Sequence, residues 1–233
     1  MPEVRFPLIA LNLKVYRESL GEGALRLSKI AERVADEYGV GVLVAPPIIS
    51  LSRVAETVEI PVFSQHVDPY SPGGHTGSVL AEDIRGAGAQ GSLINHSERR
   101  MLLADIGAAL ERLRENRLKS ILCTDTVETT RAGAALGPDI IAIEPPELIG
   151  TGIPVSKARP EVVVGAVKAV REINPSVRVL CGAGISSGDD VAKAIELGAE
   201  GVLLASAYVK AKEPEKVLAD MAEKAVKAWE RRP

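Results

Sequence analysis

The chain has 233 residues, 46% of them apolar, enough to bury a sizeable core as one large α/β domain or two small ones. Its 28 basic and 31 acidic residues are interspersed and sum to a net charge of −3, so duplex nucleic acid and anionic membrane are poor partners. No apolar stretch reaches the roughly 20 residues of a spanning helix, and MPEVRF at the start lacks the pattern of an export signal, so a cytoplasmic protein is expected.

Apolar runs and helical periodicities then alternate along the chain. The first run, PLIALNL from Pro7, ends on Asn12 and Lys14. Ser19 and Glu22 make an S-x-x-E capping box, and Leu20, Ala24, Leu27, Ala31, Val34 and Tyr38 recur at helical steps until Gly39 stops the helix. GVLVA from Gly41 is followed by a short helical segment from Ile49 to Thr57. IPVFS from Ile60 ends at Gln65 and leads through the Pro/Gly-rich YSPGGHTG to a second short segment, Ser78 to Gly86. GSLIN from Gly91 ends on Asn95 and His96, and Asp105 is the expected N-cap of the next helix. SILCT from Ser120 precedes a helix capped by Asp125, with Glu128 at the box position. DIIAIE from Asp139 stops on Glu144, and Pro160 opens a helix as a first-turn proline. VRVLC from Val177 runs out into CGAGISSG before a helix at Gly188 and Asp189. GVLLA from Gly201 runs into ASAY before a last helix from Pro214.

The eight runs are almost continuously apolar, as parallel strands covered on both faces require. Strict alternation without a linker predicts one (β/α)8 barrel domain over residues 1–233. An open dinucleotide-binding sheet would place a G-x-G-x-x-G after the first strand, where NLKVYRES stands instead.

In such a barrel the strand C-termini build the active site. An ammonium (Lys14), an imidazole (His96) and a carboxylate (Glu144) are thereby aimed at one rim, with Asn12 two residues from Lys14 on the same strand face. Singly they read as a solvated lysine, a helix-opening histidine and half of an ion pair; their coincidence at strand ends points to a site. Gly182, Ala183 and Gly184, with Ala205 and Ser206, expose backbone amides beside helix starts, the usual phosphate cup of these barrels. GISSG matches a nucleophile elbow, but no histidine follows it in the chain. His66, Asp68 and His75 sit in a Pro/Gly-rich loop and make a poor metal site; no metal or cofactor is expected.

Asn12-Leu13-Lys14, NHSERR from Asn95 and EPPELIGTG from Glu144 together resemble the triosephosphate isomerase family, in its archaeal form, over the whole chain. The resemblance implies interconversion of dihydroxyacetone phosphate and glyceraldehyde 3-phosphate, as in glycolysis and gluconeogenesis. In it Glu144 is the base, His96 a neutral electrophile beside a helix opening at Ser97, and Lys14 the stabilising cation. Glu98 stands behind them. Asn12, Leu13, Lys14, Ile149, Gly150, Gly184, Ala205 and Ser206 bind substrate. Pro145-Pro146 and Gly150-Thr151-Gly152 read as the hinges of a lid that keeps water from the enediolate. Leu13, Pro146, Glu147, Ala205 and Ser206 depart from the commoner family pattern. The loop Asp68 to Thr76 resembles the family's dimer loop, with Thr76 reaching Asn12 and Lys14 of a second copy, and the archaeal likeness implies a tetramer. Another phosphate-binding barrel enzyme, such as a Schiff-base aldolase, would want a lysine inside a late strand, and the runs from Ser120 onward have none.

Overall fold

A computed structural model of the chain describes residues 2–145 and 158–232. Eight strands run parallel in the order β2-β1-β8-β7-β6-β5-β4-β3, and a bridge between Val44 and Val62 joins the two ends into a barrel. The strands are β1 Leu8–Asn12, β2 Gly41–Ala45, β3 Phe63–Ser64, β4 Gly91–Ile94, β5 Lys119–Thr124, β6 Ile140–Ile143, β7 Arg178–Cys181 and β8 Gly201–Leu204. Each falls within or one residue beyond an apolar run of the sequence. β3 is the short one: Pro61 has no N–H to give, and the Val62 N–H is taken by the Gln90 side chain, so the ladder starts at Phe63.

Strand alternation sorts the core into two layers. Leu8, Ala10, Leu43, Ala45, Phe63, Leu93, Ile121, Cys123, Ile140, Ala142, Leu180 and Leu203 fill the barrel interior. Their sequence neighbours, among them Ile9, Leu11, Val42, Val44 and Ile141, pack outward against the helices. Burying a side chain of this size contributes about 1.5–3 kcal/mol. The barrel is therefore a packed plug beneath whatever stands at its mouth.

The surrounding helices are α1 Glu22–Tyr38, α2 Leu51–Ala55, α3 Ala81–Gly86, α4 Leu103–Glu115, α5 Val127–Ala135, α6 Pro160–Ile173, α7 Gly188–Glu196, α8 Ser206–Val209 and α9 Pro214–Glu230. Pro160 and Pro214 stand in the first turns as expected, and Gly39 ends α1 in the left-handed conformation. Three caps differ from expectation. The Ser19 hydroxyl donates to the Tyr16 carbonyl at 2.8 Å inside a 3-10 turn, so α1 starts after Gly21 and Leu20 is left exposed. Asp105 lies in the first turn of α4, whose N-cap is Leu102. Thr126 and Thr129, one residue beyond Asp125 and Glu128, form the capping box of α5, with Asp125 accepting from the Thr129 hydroxyl at 2.7 Å. A threonine hydroxyl can both give and receive, which a carboxylate cannot. Among the described residues no helix is long and apolar enough to cross a membrane.

Candidate active site

The inward parity of β6, Ile140 then Ala142, continues to Glu144, whose N–H extends the ladder to the Thr124 carbonyl at 2.7 Å. The side chain is thus carried into the mouth of the barrel, only 3% exposed. It lies across Gly182: a Cβ there would sit 2.4 Å from Glu144 Cγ, so the first glycine of CGAG makes room for the carboxylate. Burial pushes the Glu144 pKa up, against the opposing pull of His96, the Cys123 thiol, Lys14 and Arg100. The buried Cys123 thiol beside it is pushed well up, by burial and then by the Glu144 charge, and stays protonated. Among the described residues Glu144 Oε2 has no hydrogen-bond partner of ordinary geometry. Oε1 stands 3.7 Å from His96 Nε2, too far for a hydrogen bond, so a small molecule can reach both.

His96 reaches the mouth because Asn95, at φ 59, ends the extended backbone of β4. Asn95 is held there by its amide donating to the Cys123 carbonyl at 3.0 Å and its Oδ1 accepting from Met101 N at 2.9 Å. No helix opens at Ser97. A turn stands there instead, closed by Arg99 N to the His96 carbonyl at 2.7 Å. The Glu98 N–H donates to His96 Nδ1 at 3.2 Å. A nitrogen that accepts a hydrogen bond carries no proton, so the ring is the neutral tautomer with its hydrogen on Nε2, facing Glu144. A single amide does what the expected helix terminus was to do.

Lys14 follows β1 at φ 47, a left-handed conformation that costs a side-chain-bearing residue about 1–2 kcal/mol. Its N–H donates to Asn12 Oδ1 at 3.0 Å, and its carbonyl accepts from Gln65 Nε2 at 3.0 Å. The ammonium is largely enclosed and pairs with Glu98 Oε1 at 2.9 Å. Glu98 therefore touches Lys14 directly while its own amide sets the His96 tautomer. Leu13 takes the outward parity of Ile9 and Leu11, and its side chain is buried in the helix-side core, away from the cavity.

A cavity of about 310 Å³ opens over these groups, lined by Asn12, Lys14, His96, Glu144, Gly182, Gly184, Ala205 and Ser206, with Tyr16, Ile185, Ser186 and Ala207. Tyr16 lies outside every motif of the sequence, whereas Ile185 and Ser186 belong to GISSG, set aside as a nucleophile elbow, and Ala207 to the ASAY that follows the eighth run. Gly184 sits at φ 71, where glycine is unstrained. Behind it Asp190 Oδ2 accepts from Ser186 N, Ser186 Oγ and Ser187 N at 2.9 to 3.0 Å and tightens the turn into α7. Ile149, Gly150 and the lid hinge residues from Pro146 to Gly152 lie outside the described residues.

Thr76 is exposed in its loop, whose base is fastened by Asp68: Asp68 N to the Val79 carbonyl and Val79 N to Asp68 Oδ2, both 2.7 Å. His66 and Asp68 bond to each other at 3.0 Å, whereas His75 stacks on Tyr70 with ring centres 4.2 Å apart. Among the described residues no group of three His, Cys, Asp or Glu is placed to hold a metal ion.

A carboxylate made basic by burial, a neutral imidazole and an ammonium at the mouth of a (β/α)8 barrel define a proton-transfer enzyme for a small anionic substrate. Residues 7–225 match the family model for triosephosphate isomerase. The chain is 60% identical to the triosephosphate isomerase of Methanothermus fervidus over 215 residues, 92% of this chain and 97% of that protein. It is 57% identical to the one from Methanothermobacter thermautotrophicus over 218 residues (94% and 95%) and 56% identical to that of Methanocaldococcus jannaschii over 214 residues (92% and 98%). The chain belongs to the triosephosphate isomerase family.

Proposed function

We propose that this chain interconverts dihydroxyacetone phosphate and D-glyceraldehyde 3-phosphate, with Glu144 as the base, His96 as the electrophile and Lys14 as the stabilising cation. One observation carries the assignment: Glu144 Oε1 and the proton-bearing His96 Nε2 face each other across 3.7 Å on the cavity wall. Glu144 takes a proton from the hydroxyl-bearing carbon next to the carbonyl and returns it to the former carbonyl carbon, while the hydroxyl proton passes to the former carbonyl oxygen by way of His96 Nε2, so no atom is gained or lost. A buried carboxylate suits this step, because burial raises its affinity for the proton. The His96 Nε2–H hydrogen-bonds to the carbonyl oxygen as it becomes an enediolate oxygen, and the Lys14 ammonium offsets the negative charge developing there. Asn12 steadies the Lys14 backbone. The backbone at Gly184, Ala205 and Ser206 takes the phosphate. Glu98 orients both His96 and Lys14.

The chain works as a single barrel domain in the cytoplasm and assembles as a homodimer through the loop around Thr76, two dimers making a tetramer. Exposed Val15 and Ile49 on neighbouring loops support a covered surface near the mouth. A coupled assay with glyceraldehyde 3-phosphate and no added metal tests the activity; turnover is expected, and a folded but inactive sample overturns it. Light scattering tests the assembly, for which a monomer is the contrary result.

A further inference from the structure

We propose that Gln65 is a positioning residue that locks Lys14 into its left-handed backbone conformation and so sets the ammonium in the site; this rests on the role given to Lys14 above. Lys14 has no intrinsic preference for φ 47: it is neither glycine nor asparagine, and its side chain bonds to Glu98, far along the chain. Left to itself the residue relaxes toward the extended region, which turns the Cα–Cβ bond and carries Nζ away from the mouth.

Relaxation requires the peptide units on either side of Lys14 to rotate. On the N-terminal side the N–H is held by Asn12 Oδ1. On the C-terminal side the carbonyl is held by Gln65, whose Nε2 donates at 3.0 Å to Lys14 O and at 2.9 Å to Ala45 O. Both protons of one amide nitrogen are spent on backbone carbonyls, one just past β1 and one at the end of β2, while Gln65 itself follows β3. The Ala45 carbonyl also receives the Leu13 N–H at 3.0 Å, so the two strand ends and the glutamine form one closed set of bonds. The Ser19 hydroxyl is a weaker restraint on Lys14 O, 3.4 Å away, because it lies 2.8 Å from the Tyr16 carbonyl. Gln65 is thus the main clamp on the strained unit, and its reach is fixed by the barrel beneath it.

The test is a double-mutant cycle on kcat and KM. Gln65→Met keeps the length of the side chain and removes both donors, and Gln65→Glu, which sets a carboxylate oxygen against two carbonyls, is the second variant should the first fail to fold. Either change is expected to lower kcat about 10-fold to 100-fold, the scale of an ångström-sized displacement of a catalytic group. With Lys14→Met already present, the same change is expected to cost less than about twofold, because there is no ammonium left to misplace. A loss of equal size with and without the Lys14 ammonium reveals a merely structural glutamine and overturns the proposal, as does an unchanged kcat in a folded Gln65 variant. A neutral Lys14→Met removes the assignment of Lys14 and this proposal together, which separates the two failures.

Discussion

The floor and the mouth of the barrel are built from the same strands in the same parity and differ in what holds them. Leu8 and Ala10 give way to Asn12 along β1, and Ile140 and Ala142 to Glu144 along β6. In the floor, apolar groups are removed from water and packed without direction. In the mouth, polar groups are fixed by bonds from distant elements, and two costs persist: a left-handed lysine and, among the described residues, a carboxylate oxygen with no hydrogen-bond partner of ordinary geometry. Such costs survive where the surrounding structure over-determines the geometry. The rigid floor is what permits an uncomfortable mouth.

Floor and mouth can each be perturbed alone. Lys14→Met removes the mouth's ammonium and is expected to lower kcat/KM on the order of 1,000-fold, by the scale of a lost oxyanion donor. Steady-state kinetics checks it, and an unchanged rate and phosphate affinity would make the residue dispensable. Leu43→Ala opens a hole in the floor and is expected to cost about 3 kcal/mol in urea unfolding while kcat stays within about twofold. A large loss of kcat without a loss of stability would erase the distinction between the layers. Glu144→Asp withdraws the base by roughly 1 Å and is expected to slow turnover about 100-fold with inorganic phosphate binding nearly intact.

Burial raises the Glu144 pKa above its ordinary 4.5, so the folded state holds this proton more tightly than the unfolded chain does. The stability this lends is present below about pH 4.5 and is lost as pH rises through the folded value. Above the folded value the ionised carboxylate is therefore a burden. Glu144→Gln should abolish activity yet raise Tm at pH 7, by about 2–4 °C for each kcal/mol recovered, and the gain should vanish at pH 4. A gain that persists at pH 4 would mean that the charge is not its source.

The polar layer was readable because it lies at strand ends: Asn12, Lys14, His96 and Glu144 each close an apolar run, and all four line the cavity. The resemblance puts Leu13 among the substrate-binding residues, yet β1 parity sends its side chain to the other face. Gln65 was visible as a strand-end residue, but nothing local tied it to Lys14, 51 positions away.

By itself the sequence determined the eight strands, their order and the chemistry at their ends, because alternation, apolar runs and helix-breaking residues act over a few neighbouring positions. Tertiary structure alone decided which partner each polar group finds. The Gln65 amide found the Lys14 carbonyl 51 positions away, the Asn95 amide found the Cys123 carbonyl 28 positions away, and Lys14 met a carboxylate 84 residues away. Hydrogen bonds require atoms within about 3 Å in the right direction, and only the closed barrel brings residues so far apart in the chain to that distance.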